Sequence, residues 1–218
     1  MPDSTRIEDT LVRGYRQLAL DTPQRPRDHV LRALDVVLSS LFLLISLPIS
    51  LVIAAAVFAS SGPPVLYRGE RVGRGARVFT MYKFRTLRRG AERRLGQYLG
   101  EELVERTQAE FTPIGKWLKA TQLDEIPQFW NVLRGDMSLV GPRPPIPEEV
   151  AQYEPWQLRR LDVRPGITCL WQISGRSRIG FQEWMRLDLE YIRHRSLKLD
   201  FKILVRTIPA VLSREGAY

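Results

Sequence analysis

From Val36 to Ala59 the chain runs for 24 residues without a charge, VVLSSLFLLISLPISLVIAAAVFA. A helix of this length and composition can reach across a bilayer, and a single domain of 218 residues rarely buries such a segment whole. A signal peptide does not fit, because the run starts far from the N-terminus and its apolar part is too long. Pro48 lies at the midpoint, where it removes one backbone hydrogen bond and crowds the preceding turn. Ser46 and Ser50 flank it and can satisfy freed carbonyls. Basic residues stand on both sides, with Arg25, Arg27 and Arg32 before the run and Arg68 to Arg77 after it. A true span predicts asymmetry in such charges. The sequence therefore favours a helix that enters the membrane, breaks at Ser46 and Pro48, and leaves by the same face.

Charge is the second constraint. The formal net charge is +9, and residues 61–94 hold ten Lys or Arg against Glu70 and Glu92, which is +8 of it. So concentrated a basic block calls for an anionic partner: nucleic acid, lipid headgroups or a phosphorylated substrate. Cys169 is the single cysteine, which excludes an intramolecular disulfide and a cysteine metal cluster. With 44% of residues apolar the chain is neither disordered nor a bundle of spans.

Three regions follow: an N-terminal tail over 1–30, the membrane helix over 31–61 and a folded domain over 62–218. In the domain, Val65–Tyr67 and Val78–Phe84 read as two strands of a hairpin around a Gly/Arg loop. Residues 88–107, 121–134, 181–195 and 199–212 read as helices, with Gly135 as a C-cap. The run GDMSLVGPRPPIP is too rich in Gly and Pro for regular structure and reads as an ordered loop. The fold class is α+β, mostly helical with a small β-hairpin.

Candidate chemistry gathers in TQLDEIPQFWNVLRGDMSLVGPRP, residues 121–144. Asp124 and Glu125 would sit at a helix N-terminus, where acids complement the dipole simply as caps. A carboxylate held there can also act as nucleophile or metal ligand. Lys83 and Arg85, two apart on a strand, share a face; they are either a solvated basic edge or a clamp on phosphate. Arg143 is framed by Pro142 and Pro144, which restrict its backbone and suit a placed contact. Arg164 in VRPGIT and Arg176 in SGRS are weaker cases of the same kind. His29 and His194 have no partner motif and read as surface or structural residues.

These residues lie within a longer pattern: RALD at the start of the membrane helix, MYKFRTL, LDEIPQFWNVLRGDMSLVGPRP, VRPGITCLWQISGR, LDLEYI and LDFKIL. From about Arg32 to Tyr218 the chain resembles the bacterial monotopic phosphoglycosyl transferases, the polyprenyl-phosphate sugar phosphotransferases that start exopolysaccharide and O-antigen assembly. The resemblance implies a re-entrant helix and a catalytic domain on the cytoplasmic face of the bacterial inner membrane. Asp124 would attack the β-phosphate of a UDP-sugar and release UMP, and polyprenyl (undecaprenyl) phosphate would take the sugar phosphate in a second step. Glu125 would assist, and Mg²⁺ held at Asp124 and Glu125 would offset the anionic charge. Lys83, Arg85, Lys119, Arg143, Arg164 and Arg176 would bind phosphate or nucleotide. The implied partners are UDP-sugar, polyprenyl phosphate and membrane lipids, not nucleic acid, and a homo-oligomer is left open. Two positions depart from the pattern: Leu47 stands where the family has Ser before Pro48, and Lys119 stands where some relatives carry Arg. The competing reading is a non-catalytic membrane adaptor whose basic block binds anionic lipids or nucleic acid.

Overall fold

The computed structural model describes residues 27–95, 106–174 and 180–212. Most of the expected N-terminal tail, and Arg176, lie outside them. The apolar run forms one helix, α1 (Arg27–Ser61), 35 residues long, which continues through Pro48. At 1.5 Å per residue it measures about 52 Å, against about 30 Å for the hydrocarbon of a bilayer.

A single stripe of α1 is buried: Asp35, Ser39, Ser46, Ile53 and Val57, spaced by four and seven. The opposite surface is apolar and open, with Leu44 70% and Val52 67% exposed. A core helix would hide those side chains, so this helix has the surface of one that lies in lipid. Two of its charged groups, Arg32 and Asp35, are used on the domain instead. Arg32 donates to the carbonyls of Val132 and Leu133 at 2.5 and 2.7 Å, and Asp35 accepts from Ser138 Oγ and the Leu139 N–H at 3.0 and 2.9 Å. At the helix centre, Phe42 stacks on Phe129 with ring centroids 3.9 Å apart. At the far end, Ile53 and Val57 join Phe84, Leu118 and Ile126 in one apolar cluster. Both ends of α1 therefore touch the same folded domain.

The hairpin is present and longer than its sequence suggests. Strand β1 (Leu66–Val72) pairs antiparallel with β2 (Val78–Phe84), from Leu66↔Phe84 to Val72↔Val78. Charged residues at 68, 70 and 71 conceal the second half of β1 from a hydrophobic pattern, yet their backbones pair fully. Gly69 makes room there, since a Cβ would sit 2.4 Å from the Tyr67 hydroxyl.

Only the second half of the expected helix over 121–134 is α-helix. Helix α2 (Gly115–Thr121) ends at Gln122, whose φ of 57° is left-handed, and a 3-10 turn, Leu123–Glu125, follows before α3 (Gln128–Arg134). Gly135 caps α3 in the left-handed region at φ 90°, as its position predicts. Asn131 ties α3 to the hairpin: its amide donates to the Thr80 carbonyl at 2.7 Å, and its oxygen accepts from the Tyr82 N–H at 3.1 Å.

The Gly/Pro-rich stretch also holds regular structure that composition hides. Strand β3 (Ser138–Val140) pairs parallel with β4 (Gly166–Thr168). The flanking glycines permit the approach, because a Cβ on Gly166 would stand 2.1 Å from the Gly141 nitrogen. Helices α4 (Phe181–His194) and α5 (Leu197–Leu212) close the domain over Met81, Val132, Met137, Leu139 and Val140. Tyr191 of α4 donates to Asp200 of α5 at 2.9 Å.

Candidate active site

The turn after Gln122 turns Asp124 inward, where it is 2% exposed, and lays Glu125 against β2. Lys83 of β2 pairs with Glu125 at 2.7 Å. Lys119, from the last turn of α2, lies 3.7 Å from Asp124 and 4.0 Å from Glu125. Asp124 and Glu125 thus occupy a turn between two helices, rather than the first turn of one.

Asp124 faces a cavity of about 230 Å³ whose lining includes Arg71, Lys83, Arg85, Lys119 and Arg143. Four of these are the expected basic residues, brought together from β2, α2 and the Gly-Pro-Arg-Pro loop. That loop is held in place: Pro142 and Pro144 are buried while the Arg143 side chain is exposed, and Arg160 donates to the Arg143 carbonyl at 3.0 Å.

Arg85 and Arg164 do more specific work than the sequence implies. Arg85 is buried beyond the end of β2, and its Nη2 donates to the carbonyls of Ser61 and Gly62 at 2.8 and 2.6 Å. It thereby fixes the end of α1 while still lining the cavity. Arg164 stands apart, in a second cleft with Arg32, Asp35 and Arg74, and donates to the Gly135 carbonyl at 2.9 Å. Arg176 lies outside the described residues.

Arg71 is the cation that sequence reading missed. The hairpin register pairs Tyr67 with Lys83 and Arg71 with Phe79, so Tyr67 and Arg71 share a face with Lys83. A strand carried through to Val72 would have placed it.

The two carboxylates are driven apart in acidity. Burial pushes Asp124 up to about 6, against the pull of Lys119 and with the charge of Glu125 adding to the rise. Burial also raises Glu125, but Lys83 and Lys119 outweigh it and bring that group to about 2. Desolvation lowers the Lys83 ammonium, with Glu125 opposing. Five cations around two carboxylates leave the cavity positive even with both acids ionised, a setting for a polyanion such as a diphosphate. Asp124 Oδ1 is buried without a hydrogen-bond partner, so it is free to meet a ligand atom. Among the described residues no cluster of three or more His, Cys, Asp or Glu could enclose a metal. A Mg²⁺ ion here could draw on Asp124 and Glu125, with phosphate and water oxygens completing its shell.

The chain is similar to several bacterial transferases. It is 45% identical over 163 residues to the galactosyl transferase CpsE of Streptococcus agalactiae, covering 72% of this chain and 36% of that protein. It is 36% identical over 197 residues to the undecaprenyl-phosphate galactose phosphotransferase of Salmonella typhimurium, covering 86% and 41%. Against the exopolysaccharide production protein ExoY of Rhizobium meliloti it is 36% identical over 197 residues, covering 86% and 87%. The chain thus spans less than half the length of the first two of these relatives. The family model for bacterial sugar transferases matches residues 27–214, from the start of α1 past the whole basic cavity. The chain belongs to the bacterial sugar transferase family.

Proposed function

We propose that the chain transfers a sugar-1-phosphate from a UDP-sugar to a polyprenyl phosphate, releasing UMP, through a covalent phosphosugar on Asp124. One observation carries this reading: a buried carboxylate with a free oxygen faces a cavity ringed by five cations. In the first step an Asp124 oxygen attacks the sugar-bearing phosphorus, and the bond to UMP breaks with its electron pair leaving on the UMP phosphate. In the second, an oxygen of the lipid phosphate attacks the same phosphorus and the Asp124 carboxylate leaves. No redox partner is needed, and the nucleophile is restored. Dividing the transfer avoids a direct encounter of two anionic substrates. Lys119, Arg71 and Arg143 neutralise the diphosphate, while Lys83 holds Glu125 ionised beside it. Mg²⁺ at Asp124 and Glu125 would supply further charge neutralisation. The name of the Salmonella relative, an undecaprenyl-phosphate galactose phosphotransferase, supports this class of substrates. An adaptor that only binds lipid would leave Asp124 buried at a cost with nothing to gain.

Incubation with a panel of UDP-sugars and Mg²⁺ tests the reading. One donor is expected to give UMP and, before any acceptor is added, a phosphosugar mass adduct on a peptide containing Asp124. Neither product with any donor would sink it.

The helix α1 is proposed to be re-entrant, with the domain on the cytoplasmic face of the bacterial inner membrane. Contact of both its ends with one domain, through Arg32 and Asp35 and through Ile53 and Val57, supports this. Single cysteines placed before Arg27 and after Ser61, in a Cys169→Ser background, should both label from the cytoplasmic side. Labelling of the first from the periplasm would replace the hairpin with a span.

A further inference from the structure

A third and larger cleft, of about 720 Å³, opens where α1 ends. One stretch of its lining, Pro64–Leu66, is apolar, and Val65 and Leu66 belong to the cluster that holds Ile53 and Val57 of α1. Apart from Tyr67 and Gly90 the rest is cationic: Arg68, Arg85, Arg88 and Arg89 line it, and no carboxylate does among the described residues. Arg68, Arg88 and Arg89 are exposed, whereas Arg85 is 5% exposed and its Nε has no hydrogen-bond partner. A buried guanidinium nitrogen left unpaired is costly and marks a place for an acceptor atom.

Two features give the cleft a direction. Arg85 and Tyr67 line both it and the Asp124 cavity, so the two spaces adjoin. The cleft begins at Pro64, three residues after α1 ends at Ser61, and the last turns of α1 expose Phe58, 58% open to the surroundings. An apolar chain lying along α1 would bring a terminal phosphate to the arginines, one side chain away from the phosphosugar.

We propose that this cleft binds the phosphate of the lipid acceptor, a phosphate monoester on a long apolar chain, and hands it to the Asp124 cavity past Arg85. The assignment rests on the transfer reading above and adds separate donor and acceptor subsites. Donor phosphates meet Arg71, Lys119 and Arg143; the acceptor phosphate meets Arg68, Arg85, Arg88 and Arg89. The acceptor therefore approaches without crossing the nucleotide's place.

The test uses the full chain in phosphatidylcholine nanodiscs. Arg68→Ala/Arg88→Ala/Arg89→Ala changes only exposed side chains and leaves Arg85 holding the end of α1. Loss of charge-assisted hydrogen bonds should weaken decaprenyl phosphate binding, read by native mass spectrometry without any UDP-sugar, by about tenfold or more. In turnover the KM for decaprenyl phosphate should rise about as much, with the KM for the UDP-sugar changed less than about twofold. Lysine at the three positions keeps the charge and should recover most of the binding. Unchanged decaprenyl phosphate binding would overturn the proposal, and so would an equal rise in the KM of the UDP-sugar. It also fails if binding to vesicles containing phosphatidylglycerol falls in the same proportion, which would mark a general anionic-lipid patch. A wild type that binds decaprenyl phosphate through these arginines but releases no UMP from any UDP-sugar supports the cleft and removes the transfer reading alone.

Discussion

Asp124→Asn abolishes transfer and raises the thermal stability of the protein. The first effect follows from the proposed chemistry: an amide cannot form the acyl phosphate, and loss of the nucleophile costs at least about 10³-fold in kcat. The second follows from burial. In the folded chain desolvation raises Asp124 from the ordinary 3.8 to about 6. Because the folded-state value is the higher one, the native state binds the proton more tightly, and stability falls as pH rises between these two values. Above about 6 the penalty is complete, at up to about 3 kcal/mol, a figure that already includes the attraction of Lys119 and Lys83. The amide escapes that penalty. In detergent at pH 8 the variant should melt about 3–8 °C above wild type, with the gap closing as pH falls toward 4. Wild-type turnover should rise with pH through about 6 as the nucleophile ionises. A variant that melts no higher than wild type at pH 8 would show that Asp124 is not held in a costly state.

That cost explains why the sequence could not decide between a capping role and a catalytic one. Asp124 and Glu125 are neighbours of the same type, and their pattern is satisfied equally by a solvated helix start. What separates them is Gln122, whose left-handed backbone ends α2 and turns Asp124 inward and Glu125 toward Lys83. Elements governed by local pattern were legible: the apolar run, β2, the Gly135 cap, α4 and α5. Those set by distant partners were not. Strand β3 exists because β4, 28 residues later, lies beside it, and two glycines let the backbones meet. Arg71 enters the cavity only through the register of the hairpin, and Arg164 is drawn away by the Gly135 carbonyl. Charge alone located the basic block but could not divide it into the two spaces that share Arg85.

Arg160 is the residue whose loss should damage the fold most, and through the fold, Arg143. It is 2% exposed and lies 2.7 Å from Asp188 of α4, with Glu149 at 3.6 Å and the Tyr153 hydroxyl as a further acceptor. The rings of Tyr153 and Trp184 stand 5.5 and 5.1 Å from its guanidinium carbon. Burial still outweighs the attraction of Arg160 and raises Asp188 to about 6, so each charge depends on the other to be tolerated. Arg160→Met or Asp188→Leu alone strands the partner and should destabilise by about 3–5 kcal/mol. The double variant removes both charges and should recover most of that loss, since an apolar pair can replace a buried ion pair. It does not restore the hydrogen bond from Arg160 to the Arg143 carbonyl at 3.0 Å. If that bond holds the Gly-Pro-Arg-Pro loop over the cavity, the double variant folds but loses about tenfold in kcat/KM, chiefly through the KM of the UDP-sugar. Full recovery of activity together with stability would confine Arg160 to the core. A double variant as unstable as either single change would show that packing around Trp184, rather than charge, sets the cost.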